Sequence, residues 1–297
     1  MEAEARISRR ELLLAGAGAF ALTTAARAGA ASPPNIVFVM ADDMGYADLS
    51  CYGRPDFTTP NIDRIAAGGV RLLQAYANSA VCSATRTALI TGRYQYRLPI
   101  GLEEPLPSAA ARNIGIPPAH PTLPSLLKSV GYSTTLIGKW HLGKLPDFGP
   151  LKSGYDRFYG FRGGSVDYYA HQGTDHKDDL WDDDLPVHQV GYLTDLLGAG
   201  AVDAINSYAR SRQPFLISLH FNAPHWPWEG PEDGAESQRL TNLTDYDGGS
   251  QKTYARMVMR LDLQVGRVLQ ALDANGLSEN TIVVFTSDNG GERFSDT

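Results

Sequence analysis

Residues 35–43 read "NIVFVMADD", and this stretch decides the fold. From Ile36 to Ala41 no polar side chain interrupts, and the run then stops at two carboxylates, Asp42 and Asp43. A strand with one wet face alternates apolar and polar residues, so an unbroken run predicts a strand covered on both faces. That is a central strand of a parallel sheet, and ligands of such sheets sit beyond the carboxyl ends of the strands.

Outward from this strand, helical and β-rich patterns alternate. "TTPNIDRIAAGG" (58–69) predicts a helix with Thr59 as N-cap, Pro60 at the first helical position and glycines as the stop. "SATRTALITG" (83–92) and "TLPSLLKSVG" (122–131) predict two more helices, the second leading into a strand within "YSTTLIGKWH" (132–141). "PFLISLHFN" (214–222) and "TIVVFTS" (281–287) are further β-rich runs. Between them, residues 252–276 set Tyr254, Met257, Val258, Leu261, Val265, Val268, Leu269 and Leu272 on one core-facing helical stripe, closed by Asn275-Gly276. The alternation predicts an α/β fold with a mostly parallel or mixed central sheet and helices on both faces.

The stretch 145–190 differs, with "HQGTDHKDDLWDDD" at 171–184. Its length predicts a binding loop or lid. Its acids read as a solvated face rather than a second metal site, because no regular oxygen-ligand spacing emerges. Its aromatics, Tyr155, Phe158, Tyr159, Phe161, Tyr168, Tyr169 and Trp181, either stack on a sugar or aryl ring or pack the loop.

A chain of 297 residues with 43% hydrophobic and 20% charged residues is an ordinary globular composition with enough length for a sizeable core. The formal net charge of -7 argues against nucleic acid or an anionic membrane surface as partner, while leaving room for a local basic pocket. At the N-terminus, Arg9 and Arg10 precede an apolar run from Leu12 to about Thr24 and then small residues. This is the layout of a twin-arginine export signal over residues 1–32, and the run is too short and too rich in Ala and Gly for a stable membrane span. The expectation is a bacterial protein exported by the twin-arginine translocase to the periplasm or beyond, after folding in the cytoplasm. Cys51 and Cys82, the two cysteines, either pair in an oxidising compartment or leave Cys82 free for chemistry.

Four strand ends finish in chemically useful groups. The first gives Asp42 and Asp43, "GKWHLGK" (138–144) gives Lys139 and His141, "NAPHWP" (222–227) gives His225, and "SDNGGE" (287–292) gives Asp288 and Asn289. Singly, each has a bland reading as a cap, a turn or a satisfied polar group. Together they form a set of hard oxygen donors suited to Ca²⁺ or Mg²⁺ beside cationic groups suited to an anion. Cys82 opens the helix at 83–92, whose N-terminal N–H groups face it, with Arg86 one turn along. The dipole there predicts a stabilised thiolate, although a hard-metal site favours an oxygen nucleophile.

These residues resemble a known family. "CSATR" (82–86) is similar to the type I sulfatase signature Cys/Ser-x-Pro/Ala-x-Arg, and "ALITGR" (88–93) continues it. "PNIVFVMADDMGYADLSCYG" (34–53), "TPNIDRIAAGGVRL" (59–72), "TTLIGKWHLG" (134–143), "NAPHWPW" (222–228) and "VVFTSDNGGE" (283–292) also look like sulfatase blocks in the family's order. The look is that of the arylsulfatase A-like and N-acetylgalactosamine-sulfatase-like branch of the alkaline-phosphatase-type superfamily. The resemblance implies hydrolysis of aryl or carbohydrate sulfate esters, with Cys82 converted to formylglycine by a formylglycine-generating enzyme. It implies Asp42, Asp43, Asp288 and Asn289 as ligands of a divalent cation, with residue 82 beside it. Arg86 and His141 would steady the modified residue, and Lys139 and His225 would hold sulfate and protonate the leaving oxygen. It also implies that residues 33–297 are the N-terminal part of the catalytic domain, with a further sulfate-binding lysine and a small C-terminal subdomain beyond Thr297. The competing expectations are a phosphonate or phosphodiester hydrolase of the same superfamily, and an inactive chain that at most binds sulfated glycans.

Overall fold

The unbroken run becomes the strand it predicts, hydrogen-bonded in parallel on both sides. The computed structural model describes residues 32–239, 243 and 249–291, so the expected export signal lies outside the described residues apart from Ser32. In chain order the strands and the α-helices of seven or more residues are β1 (Asn35–Ala41), α1 (Pro60–Gly68), α2 (Cys82–Thr91), α3 (Leu123–Ser129), β2 (Ser133–Lys139), β3 (Arg157–Phe161), β4 (Trp181–Asp182), β5 (Leu185–Pro186), α4 (Leu193–Ser211), β6 (Phe215–His220), α5 (Gln251–Ala274) and β7 (Thr281–Ser287). The sheet runs β5-β4-β3-β2-β6-β1-β7. β3, β2, β6, β1 and β7 are parallel, and only the short β4 and β5 are antiparallel. Val37 of β1 sits opposite Ile217 of β6 and Val283 of β7.

Side-chain alternation feeds two cores. Val37, Val39, Ala41, Phe215, Ile217 and Leu219 face Leu197, Ala201 and Ile205 of α4 and Met257, Leu261, Val265 and Val268 of α5. On the other face, Leu136 and Leu216 pack with Ile90 of α2, Ile100, Trp140 and Phe158. Val37, Val39, Met40 and Ala41 of β1 are buried, and each buried Val contributes about 1.5–3 kcal/mol. All eight residues of the predicted α5 stripe are buried, and Gly276 closes the helix at φ 66°.

Two local readings change. Thr59 does precede α1, but its side chain makes no cap hydrogen bond. Asp262 of α5 caps the helix instead, accepting from Asn61 N (3.0 Å) and Ile62 N (2.8 Å). The stretch 145–190 is not a plain loop, because it contributes β3, a fifth parallel strand, and the β4–β5 ribbon. A five-residue strand interrupted by Gly160 has too little periodicity to announce itself; a Cβ at Gly160 would stand 2.2 Å from the Gly138 carbonyl oxygen. Tyr155, Phe158, Phe161 and Tyr168 from this stretch are buried, so they pack rather than offer a stacking face. Asp182 and Asp183 pair with Arg157, and Asp184 pairs with Arg162. Among the described residues no helix is long and apolar enough to cross a membrane.

Candidate active site

Since β2, β6, β1 and β7 are neighbours and parallel, their carboxyl ends share one edge of the sheet. The ladder continues past the strands, with Asp42 N donating to Ala223 O (3.2 Å) and Asp288 N to Ala41 O (3.1 Å). Asp43 and His141 both take the left-handed region, at φ 62° and 56°. Such backbone costs roughly 1–3 kcal/mol and persists where the surroundings over-determine it, as functional sites do.

Beyond that edge the predicted residues meet. Lys139 Nζ donates to Asp42 Oδ2 at 2.6 Å, with both side chains wholly buried. Arg86 Nη2 donates to Asp288 Oδ2 at 2.8 Å and lies 3.4 Å from Asp42 Oδ1. Its Nη1 donates to Lys139 O at 3.3 Å. Asp43 N donates to Asp288 Oδ1 at 3.2 Å, and Asn289 Nδ2 donates to Asp43. His225 Nε2 stands 3.5 Å from Asp43 Oδ2, while its Nδ1 donates to Trp226 O at 2.6 Å. Asp42, Asp43 and Asp288 can each turn one ligand atom toward a common ion, with those atoms within 4.8 Å of one another. Asp42, Cys82 and His225 likewise bring one ligand atom each within 4.8 Å of one another. Asn289 Oδ1 is buried with no hydrogen-bond partner, a hard acceptor left over beside the aspartates. An oxygen-rich set of this kind fits Ca²⁺ or Mg²⁺.

The charges are unequal. Burial pushes the Asp42 carboxyl up, but Lys139, His225 and Arg86 outweigh it and hold the group below its usual range. Asp288 goes the other way, pushed up to about 6 by burial and by the Asp42 charge. Three aspartates stand against Lys139 and Arg86, and the shortage of positive charge shows at Asp288.

Cys82 is the first residue of α2, with Val81 as N-cap. It is buried, and both cysteines are free thiols, which settles the pairing alternative against a disulfide. The expected thiolate is corrected: burial pushes the Cys82 thiol well up, Asp42, Asp288 and Asp43 add to it, and Lys139 only partly opposes them. Desolvation and three nearby carboxylates outweigh the helix terminus. His141 Nε2 hydrogen-bonds Leu106 O at 2.9 Å, leaving Nδ1 buried and unpartnered. Burial and then Lys139 push its pKa well down, so the ring is neutral. The sequence reading passed over a further histidine of the site. His220, the last of β6, sets Nδ1 3.3 Å from Lys139 O and 3.4 Å from Arg86 Nη1, and burial followed by Arg86 holds its pKa at about 3. Its place as the final residue of a strand that ends at the site was the available signal.

The sequence matches the family model of the sulfatases over residues 34–296. The chain belongs to the sulfatase family. It is 36% identical over 97% of its length to N-acetylgalactosamine-6-sulfatase of Rattus norvegicus, and 32% identical over 91% to arylsulfatase A of Homo sapiens. Among solved structures, Ps i-CgsB superposes with a TM-score of 0.78 at 35% identity, covering 88% of this chain and 59% of that one. The same protein is also solved in complex with k-i-k-neocarrahexaose, at a TM-score of 0.74. The chain spans 55% of the length of each of these two curated relatives. This sulfatase chain therefore has the α/β architecture of its solved relatives, and its strand-end cluster lies inside the matched region.

Proposed function

We propose that this chain carries the reaction centre of a type I sulfatase, hydrolysing aryl or carbohydrate sulfate esters. The observation that supports it most is the single buried cluster in which Cys82, Arg86, Lys139 and the hard oxygen donors of β1 and β7 converge. Asp42, Asp43, Asp288 and Asn289 would hold a divalent cation, with residue 82 at its rim. A thiol kept protonated is a poor nucleophile, which fits a cysteine destined for conversion to formylglycine. The hydrated aldehyde would supply one hydroxyl as nucleophile and a second to drive sulfate release, and the cation would act as Lewis acid on the sulfuryl oxygens.

The chain's own groups have definite tasks around that chemistry. Arg86 and Lys139 place two fixed positive charges where negative charge gathers on the transferred group, inside a dry pocket that strengthens them. His141 offers its unpartnered Nδ1 as a proton acceptor at the same end of the sheet. His225, with Nδ1 committed to Trp226 O, has Nε2 available to carry a proton to a leaving oxygen. Substrates of sulfated-glycan type are supported by the solved relative that holds a neocarrahexaose. We extend the reading to cellular handling: a formylglycine-generating enzyme acts on Cys82 in the cytoplasm, and Arg9-Arg10 then directs export of residues 33–297 to the periplasm or beyond.

The test is mass spectrometry of the segment containing Cys82, combined with turnover of an aryl sulfate and an aryl phosphodiester. Conversion lowers the residue mass by about 18 Da on the oxidation chemistry of Cys. Sulfate-ester turnover should track the converted fraction, and Cys82→Ala should lower it by at least about 10³-fold. Free thiol alone in an active preparation, or a large phosphodiester preference, would overturn the reading.

A further inference from the structure

His141 is useful to the reaction only if its free ring nitrogen is the acceptor, and that depends on what the other nitrogen is bound to. Nε2 faces Leu106 O at 2.9 Å, and a carbonyl oxygen can only accept, so Nε2 carries the hydrogen and Nδ1 carries the lone pair. Leu106 is in turn held at its other end. Its N–H donates to Ser83 Oγ at 2.7 Å, and the same hydroxyl donates to Glu103 O at 3.3 Å. Ser83 has no exposed surface, and Leu106 and His141 are buried as well. Ser83 follows Cys82 directly, in the first turn of α2, so one short chain of hydrogen bonds runs from the neighbour of the reacting residue to the ring of His141. Gly164 closes the ring's open side: a Cβ there would stand 2.7 Å from Cε1 and 2.8 Å from Nε2.

We propose that Ser83 is a positioning residue, clamping Leu106 so that its carbonyl fixes His141 as the Nε2–H tautomer with Nδ1 presented as an acceptor. The proposal rests on the sulfatase reading of the site. It gives the position between Cys82 and Ala84 a task in the folded protein that is separate from the Cys-x-Ala-x-Arg pattern around it.

The experiment uses the full chain labelled with 15N-histidine, with turnover counted per converted residue 82. Wild type should show His141 as a single neutral Nε2–H tautomer in long-range 1H–15N spectra. Ser83→Ala should mix in the Nδ1–H tautomer and lower kcat roughly tenfold to a hundredfold, with KM within about twofold, since the loss is one of orientation. Ser83→Thr, which keeps the hydroxyl, should restore the tautomer. An unchanged His141 tautomer in folded Ser83→Ala overturns the proposal. If that variant does not fold, hydrogen exchange at the Leu106 amide of the wild type decides, because fast exchange there would mean that Ser83 does not hold it. Absence of sulfatase turnover together with a tautomer that responds to Ser83 would sink the functional reading and leave the clamp standing.

Discussion

Around His141 the decisive residue is a glycine. Gly164 lies against the imidazole so closely that any Cβ must displace either the ring or its own loop. Since Nε2 is tied to Leu106 O, the ring cannot slide away without breaking that bond. Gly164→Ala is therefore expected to cost about 1–3 kcal/mol by overpacking and to lower kcat/KM by roughly tenfold or more as the ring is displaced. Urea unfolding and steady-state kinetics on the same preparation measure both. A variant that loses stability while keeping wild-type kcat/KM would show that the ring's placement does not matter to turnover. Arg86 shows the opposite constraint, where charge alone is not enough. Its two terminal nitrogens reach Asp288, Asp42 and Lys139 O together, and this is a task for a planar fork rather than for an ammonium.

At the scale of elements, α1 is short, and what holds its first turn comes from a helix two hundred residues away in sequence. The Asp262 carboxylate takes the Asn61 and Ile62 N–H groups and also receives Asn61 Nδ2 at 2.7 Å. Asp262→Ala leaves two helix-terminal donors without an acceptor in a part-buried place, and the expected loss is about 1–2 kcal/mol. Denaturant unfolding should show it as a lower midpoint at unchanged slope, whereas Thr59→Val should leave the cap itself intact. This cap also marks what the sequence could and could not say. Pro60 and the glycines at 68 and 69 announced α1 because they are local signals, while its capping partner is a tertiary contact with no local trace. β1 and β6 were legible because strands buried on both sides leave mostly apolar runs, and β2 and β7 because their β-branched residues cluster between turn signals. β3 was not, being five residues long with a glycine fitted against the next strand. Asp42, Asp43, Lys139, His141, His225, Asp288 and Asn289 were legible because they lie at or just beyond the ends of legible strands, and Cys82 and Arg86 because they open a legible helix. His220 carried only its place at the end of β6 as a signal and Ser83 none, because the tasks of both are fixed by hydrogen bonds to backbone carbonyls and amides that only folding brings near.

For the molecule as a whole, stability should depend on pH through a buried carboxyl outside the cluster of Asp42, Asp43 and Asp288. Glu229 is 1% exposed, accepts from Tyr168 N at 3.0 Å and leaves Oε1 without a partner. Burial, and after it the nearby Asp167, raise its pKa from 4.5 to about 8. Asp167 is meanwhile held by Ser237 Oγ and by the N–H groups of Tyr169 and Ala170. The pair thus joins the segments around 167, 229 and 237, and the adjoining Tyr168 hydroxyl donates to the carbonyls of Asn222 and His225. The sign follows from proton counting. Below pH 4.5 Glu229 is protonated in both folded and unfolded chains and costs nothing. As pH rises toward 8 the unfolded chain releases this proton while the folded chain keeps it, so folding stability falls across that window. Above it both states are ionised and the loss levels off. At about 1.4 kcal/mol per pH unit the upper bound is roughly 5 kcal/mol. Glu229→Gln imitates the protonated carboxyl, so it should be near neutral at pH 4.5, stabilising at pH 8, and flatter in between. Unfolding free energies of both proteins across that range decide the matter, and parallel pH profiles would mean that Glu229 already sheds its proton in the folded chain near its ordinary pKa.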